Sequence, residues 1–260
     1  ISEPRLTSDL DLLVVARGGD LEPITRDIHT LNGVAERASL FKLDFRLRGE
    51  GANAPLVQDI ESYKTYFDRR MSPWEKIAFA KCAHWYGDPS LAAEFVGALT
   101  PHLIAAPGRQ DIESLTQTRD RLETLVPEGA DPLETKRSRG GRYDIDYLCA
   151  IGLALRGDRF PLDATTSDRL GWMGDAGVIS TDDRVMIEAA LTLYQRVDYL
   201  LELAGMTLPK TPERMGRIVE YLDRTLTLLG MESEEGVEEG LRRYKFSVRK
   251  CYTEVLARAR

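Results

Sequence analysis

Two short stretches of alternating polarity limit what this chain can build. The first is Thr7-Ser8-Asp9-Leu10-Asp11-Leu12-Leu13-Val14-Val15, and the second is Leu40-Phe41-Lys42-Leu43-Asp44-Phe45-Arg46-Leu47-Arg48. Apolar and polar residues alternate in both, the period of a half-buried β-strand. Side chains two apart in a strand share a face. Asp9 and Asp11 therefore project together, with Leu10, Leu12 and Val14 opposite. In the second stretch Lys42, Asp44, Arg46 and Arg48 share one face, and Phe41, Leu43, Phe45 and Leu47 share the other. Laid side by side in one sheet, the strands bring three carboxylates beside a row of cations.

That arrangement has a chemical use. Three hard oxygen ligands on a rigid sheet suit one or two Mg²⁺ ions, which keep waters and recruit substrate phosphates. In two-metal sites the ions lie about 3.5–4 Å apart and clamp the attacking and leaving oxygens of an in-line displacement. Arg46 and Arg48 then face the phosphate charge. An Asp-x-Asp pair alone is equally a charged strand face turned to water. The second strand strengthens the metal reading, because its regular apolar face puts Asp44 on the polar side with the arginines.

A chain of 260 residues can bury a sizeable core and accommodates two subdomains. Charged residues make up 30% and the formal net charge is −7, which argues against a nucleic-acid groove. Cys82, Cys149 and Cys251 are far apart and lack metal-ligand spacing, so they read as buried or half-buried thiols in a reducing compartment. No apolar run reaches the length of a membrane span, and no signal peptide is visible. Because the first strand starts within a few residues of Ile1, a preceding segment is expected in the intact protein.

The first strand is expected over Ser8–Val15, followed by a turn at Arg17-Gly18-Gly19-Asp20. A helix from Pro23 to Ser39, with Ile24, Ile28, Leu31 and Ala35 at helical spacing, is expected to cover the apolar face of the sheet. This β-α-β order predicts a small mixed sheet. The loop Gly49–Pro55 either closes over a nucleotide or is only a turn. From Asp59 onward the strand pattern gives way to helices. Ile60, Tyr63 and Phe67 mark a short one. Ser72-Pro73-Trp74-Glu75 starts another with Ser as N-cap and Pro at the first position, running to about Tyr86. It carries Lys81, which either reaches a phosphate or snorkels from the surface. Amphipathic helices over Pro89–Leu103 and Asp111–Leu125 follow. His29, His84 and His102 have no partner at ligand spacing, so no metal histidine is expected.

A second unusual stretch is Lys136-Arg137-Ser138-Arg139-Gly140-Gly141-Arg142-Tyr143-Asp144-Ile145-Asp146-Tyr147-Leu148. Cations surround a Gly-Gly pair just before a helix. Glycines allow close backbone approach and helix N-termini favour anions, so Gly140 and Gly141 are candidate phosphate or nucleotide contacts. The alternative is a surface loop whose Asp144 and Asp146 favour the helix start. The remainder reads as helices: Tyr143–Leu155, Ser167–Gly174, and Thr181–Ala204 with Val185, Ala189, Leu193, Val197 and Leu200 on one stripe. Another starts at Thr211 with Ile218, Leu222, Leu226 and Leu229, and the last is Glu234–Ala257. These stripes predict a bundle core. Pro107, Gly108, Pro127, Gly129 and Pro132 interrupt the pattern, so the predicted division is a catalytic domain over 1–105 and a helical bundle over 106–260, an α+β chain.

Taken in order, Ser8-Asp9-Leu10-Asp11-Leu12, then Leu43-Asp44-Phe45-Arg46-Leu47-Arg48-Gly49-Glu50-Gly51, Trp74-Glu75 with Lys81, and Lys136 to Tyr147 around Gly140-Gly141 resemble the motifs of the glutamine synthetase adenylyltransferase family. Leu193-Tyr194-Gln195-Arg196 with Leu208-Pro209 resembles its helical region. The resemblance runs to about residue 230. It implies a nucleotidyltransferase sheet followed by a helical bundle. It also implies Mg²⁺-dependent transfer of AMP from ATP to a tyrosine of glutamine synthetase, or phosphorolytic removal of that AMP. Asp9, Asp11 and Asp44 match the family's metal-binding carboxylates; Ser8, Arg46, Arg48, Lys81, Gly140 and Gly141 are the expected nucleotide contacts. Glutamine synthetase is the implied protein substrate, with a nitrogen-signalling regulatory protein as a possible partner and the cytoplasm as the compartment. Family proteins usually carry two catalytic units, and one is present here. Two rival functions are a nucleotidyltransferase acting on a small molecule and a nucleotide-binding regulatory module without turnover.

Overall fold

The computed structural model describes residues 9–38, 42–103, 109–158, 162, 164–231 and 235–260. The chain divides into two compact units, one over 1–104 with 159–163 and the other over 105–158 with 164–260.

The first unit is α+β with two small parallel ladders. Strand β1 (Leu10–Asp11) pairs with β3 (Leu43–Asp44), and β2 (Val14–Ala16) pairs with β4 (Val57–Asp59). Both pairings are parallel, so among the described residues the expected mixed sheet is absent. The single strand expected over Ser8–Val15 is also broken at Leu12-Leu13, where it changes partner. The cause lies in Asp44. Its side chain accepts from the Arg46 amide at 2.8 Å, an Asx-type turn that ends β3 just after the bond from Leu12 N to Asp44 O, so that Leu12-Leu13 fall between the two ladders. β4, which the alternation does not announce, takes over. It is only three residues long, and its middle side chain, Gln58, is buried, with Nε2 donating to the Gly49 carbonyl at 2.9 Å.

Helix α1 (Glu22–Ala38) connects the first two strands to β3, with Asp20 Oδ1 accepting from the Glu22 amide. It buries no residue, and Ile24, Leu31 and Val34 are exposed, so its expected role as the cover of the sheet is not what the structure shows. The core of this unit lies under α2 (Ile60–Arg69), α3 (Pro73–Phe79) and α4 (Pro89–Leu99). Asp59 caps α2, and Ser72 and Glu75 form the expected capping box of α3. Tyr63, Phe67, Phe79 and Phe95 interlock, with Phe67–Phe95 centroids 5.4 Å apart and Tyr63–Phe95 centroids 5.1 Å apart, both edge to face. Helix α3 stops at Phe79 rather than near Tyr86, because Gly87 at φ 104° and the Asp88 cap already belong to the entry of α4. Lys81 therefore lies in a turn.

The second unit is helical: α5 (Arg109–Glu123), α6 (Arg142–Leu155), α7 (Thr166–Asp175), α8 (Thr181–Leu203), α9 (Pro212–Leu228) and α10 (Gly236–Ala259). Helix α6 is buried from Ile145 to Ala154 except at Asp146, and α10 packs against both α6 and α8. The α8 stripe is rotated from the expected one. Val197 and Leu200 are buried as expected, but Ile187, Ala190, Tyr194 and Leu201 join them in place of Val185, which is exposed. Apolar residues on several faces of α8 left that choice to tertiary packing. On α9, Ile218, Leu222 and Leu226 are buried as expected and Leu229, just beyond the helix, is exposed. Among the described residues, no helix is long and apolar enough to cross a membrane.

Candidate active site

The ladder between β1 and β3 fixes two carboxylates level with one another. Leu10 N donates to Lys42 O at 2.8 Å and Leu12 N donates to Asp44 O at 2.7 Å, which sets Asp11 opposite Asp44. Neighbouring parallel strands lie about 4.8 Å apart, and residues in register share a face. Asp9, two positions before Asp11, adds a third carboxylate; its Oδ2 accepts from Lys42 Nζ at 2.8 Å.

Asp44 is the buried member, at 7% exposure. Arg46 folds back onto it. Nε lies 2.9 Å from Oδ1 and 2.8 Å from Oδ2, and Nη2 donates to Oδ2. This two-pronged contact holds the Asp44 carboxyl below its usual value, against the opposing effect of burial, and Lys42 adds to it. Arg46 is shifted up in return, first by Asp44 and also by Asp9 and Asp11. Three carboxylates thus act on one guanidinium.

The same residues border an open cleft of about 420 Å³ lined by Lys42, Asp44, Arg46, Arg48, His29 and Asn32 among others. Sequence reasoning missed His29 and Asn32. They lie three apart on α1, the spacing of neighbours on one helix face, which was the available signal. Arg48 borders the cleft but does not share a strand face with Arg46, because the chain has already turned. Its Nε donates to Ala54 O at 2.9 Å and its Nη1 to Phe45 O, bracing the 45–54 segment.

The other expected contacts fall elsewhere. Ser8 lies outside the described residues. Lys81 is not among the described residues lining the cleft. Gly140 and Gly141 belong to the helical unit, where their amides are engaged: Gly140 N donates to Asp144 Oδ2 at 2.6 Å and Gly141 N to Ser138 O at 2.9 Å. The surrounding cations are likewise partnered, Lys136 over the Tyr143 ring, Arg139 with Glu123 and Arg142 with Asp198. The reason for glycine here is packing. At Gly140, φ is 74° and a Cβ would stand 1.9 Å from the Lys245 carbonyl oxygen.

Comparison with known proteins bears on this arrangement. Residues 24–98, from α1 through β3 and β4 into α4, match the family model described as glutamate-ammonia ligase adenylyltransferase. The bifunctional glutamine synthetase adenylyltransferase/adenylyl-removing enzyme of Mycobacterium leprae is 31% identical over 205 residues, 77% of this chain. Those of Mycobacterium bovis and Mycolicibacterium smegmatis are 29% and 27% identical over the same share. Over that share the chain is similar in sequence to glutamine synthetase adenylyltransferases. It spans about a fifth of the length of the curated relatives it matches.

The resemblance implies a divalent cation at Asp9, Asp11 and Asp44. The donor type suits such an ion, but the placement does not. Both oxygens of Asp44 face Arg46, and one of Asp9 faces Lys42. Among the described residues, no group of three or more His, Cys, Asp or Glu side chains is arranged to hold a metal. The positive charge these carboxylates meet is supplied by the chain itself.

Proposed function

We propose that this chain moves an adenylyl group between ATP and a tyrosine hydroxyl of glutamine synthetase, attaching it or removing it by phosphorolysis. The observation that carries the reading is the level pairing of Asp11 with Asp44, whose carboxylate Arg46 grips, beside a cleft lined by Lys42, Arg46 and Arg48. The activities for which the relatives are named point the same way. In the forward direction the tyrosine oxygen forms a bond to the α-phosphorus, the bond to pyrophosphate breaks, and the hydroxyl proton passes to solvent or a carboxylate. In reverse, a phosphate oxygen attacks the same phosphorus and tyrosine leaves, giving ADP.

Lys42 and Arg46 suit the binding and orientation of phosphate oxygens, with charge-assisted hydrogen bonds of the kind that strengthen as charge develops. His29 and Asn32 border the same space. While Arg46 clamps it, Asp44 is a weaker base than an ordinary carboxylate, so its part in this state is to hold the guanidinium rather than to take a proton. Mg²⁺ and ATP belong to this reading as cofactor and substrate, and a reaction on glutamine synthetase belongs in the cytoplasm. The closed Asp44–Arg46 pair favours one alternative, a regulatory module that binds nucleotide without turnover.

The test uses ATP labelled at the α-phosphate, glutamine synthetase and the 260-residue chain. Label transferred to glutamine synthetase, and lost when Asp9 and Asp11 are both replaced by Asn without a change in circular dichroism, supports the reading. Undiminished transfer by the double variant overturns it. Nucleotide binding without any transfer selects the regulatory module.

A further inference from the structure

We propose that Asn32 selects the base of the nucleotide: its amide meets the 6-amino edge of adenine while the phosphate lies against Lys42 and Arg46. The inference rests on the adenylyltransferase reading and deepens it by naming the residue that sets base specificity.

The cleft of about 420 Å³ falls in the size range of small-molecule sites and has two kinds of wall. Lys42 and Arg46 supply cations, which suit a phosphate. Leu43, Phe45 and Leu56 supply an apolar side, which suits the face of a flat heterocycle. That side is held in place. Arg48 Nε donates to Ala54 O and Nη1 to Phe45 O, so one guanidinium ties together the segments that carry Phe45 and Leu56. Asn32 borders the same space from α1, a helix that buries no residue. One cleft thus offers contacts for both ends of a nucleotide.

The Asn32 amide has a fixed sense. Its Nδ2 donates to Glu36 Oε1 at 2.9 Å, one turn further along α1. Turned the other way, Oδ1 would face that carboxylate acceptor to acceptor. Glu36 therefore leaves the Oδ1 acceptor, with the second N–H of the amide, for a ligand. Adenine has the matching edge, an amino donor next to a ring acceptor, and an asparagine amide meets that pair in two-pronged fashion. Hypoxanthine reverses the pair, with a carbonyl oxygen in place of the amino group and an N–H in place of the neighbouring ring acceptor. The cations and the apolar side treat both bases alike, so the amide is what tells them apart.

The alternative is that Asn32 and Glu36 are only a pair four residues apart on the surface of α1. A helix brace has no bearing on which base is bound, so the preference between AMP and IMP separates the two. Each nucleotide is titrated against the full chain by equilibrium dialysis in EDTA. The wild type is expected to bind AMP about tenfold more tightly than IMP, towards the low end of what a two-pronged base contact carries because the cleft is open. Asn32→Ala is expected to bring the ratio to about one by weakening AMP. Alanine is the best helix former, and Asn32→Leu, of similar size and without an amide, is used if the first variant does not fold. In Glu36→Gln the new side chain can donate as well as accept, so the Asn32 amide is free to turn and the ratio is expected to fall through a gain in IMP. Phe45→Leu is expected to weaken both nucleotides about equally and keep the ratio.

Equal binding of AMP and IMP by the wild type overturns the inference. So does a preference that survives the loss of the Asn32 amide. A ratio unchanged in Glu36→Gln overturns the positioning role of Glu36, and a Phe45→Leu variant that binds both nucleotides as the wild type does overturns the placement of the base. Failure of the wild type to bind either nucleotide overturns the adenylyltransferase reading as well, so the two failures are distinct.

Discussion

Gly140→Ala is expected to unfold the helical unit well before the rest of the chain is affected. Gly140 has φ 74°, and a Cβ there would stand 1.9 Å from the Lys245 carbonyl oxygen and 2.4 Å from its carbon. The left-handed backbone alone costs an L-residue about 1–2 kcal/mol. The clash is with main chain in the middle of α10, so relief requires α10 to shift against α6 and α8, an overpacking cost of about 1–3 kcal/mol. The shift also stretches the buried bond from Tyr194 Oη to Gly140 O, 2.8 Å long, at about 1 kcal/mol. The expected loss is therefore about 3–6 kcal/mol. Gly177→Ala is the control: its φ is 68° but nothing lies within 4 Å, so only the backbone cost applies. Fluorescence of Trp172 on α7 reports the helical unit once Trp74 and Trp85, both in the other unit, are replaced by Phe. At about 2–4 °C per kcal/mol for a unit of this size, Gly140→Ala should melt roughly 10 °C below Gly177→Ala. Equal melting of the two variants would refute the packing argument. A glycine pair kept for phosphate contact would instead leave stability alone and weaken nucleotide binding.

Three further outcomes follow from buried charge and exposure. Asp144 is fully buried and accepts from Arg119 Nε, Arg249 Nη1 at 3.1 Å and Gly140 N, so Asp144→Asn leaves buried Arg119 with Glu123 at 3.8 Å as its carboxylate partner and should cost about 3 kcal/mol in a urea titration. Because Arg46 holds Asp44 below its ordinary value of 3.8, the stability this pair supplies is present above that value and lost as pH falls through the folded value; stability measured from pH 6 to pH 2 should fall less steeply below about pH 4 in Asp44→Asn than in the wild type. Burial pushes the Cys251 thiol up to about 12 and Cys149 is also buried, so iodoacetamide at about pH 8 should modify half-buried Cys82 first, with Cys251 labelled only on unfolding, as read by mass spectrometry.

The alternation around Asp9, Asp11 and Asp44 was legible because a two-residue period survives even in very short strands. It put Asp9, Asp11 and Asp44 on polar faces that meet when the strands pair, but it could not fix the register that sets Asp44 opposite Asp11, nor reveal that the Asp44 side chain ends its own strand by capping the Arg46 amide. The extent of β1 and β3, the arrival of β4 and the position of Arg48 all follow from that one turn. The helix cap at Ser72 was equally readable, since capping is a local interaction. The Gly-Gly stretch was not, because both of its readings use the same residues. What separates them is Lys245, more than a hundred positions away in sequence, whose backbone fills the space a Cβ would need. The inward face of α8 was hidden for a similar reason: its apolar residues surround the helix, and only contact with α10 selects among them.

The level pairing of Asp11 and Asp44 rests on a ladder two residues long. Adding or removing a residue in the connection through α1 leaves that pairing intact, because α1 is a surface crossover with no buried side chain to realign. Adding or removing one between Lys42 and Asp44 turns the carboxylate to the opposite side of the ladder. Length variation is therefore cheap before Lys42 and ruinous just after it, and an engineered insertion meant to spare the three carboxylates belongs in the crossover.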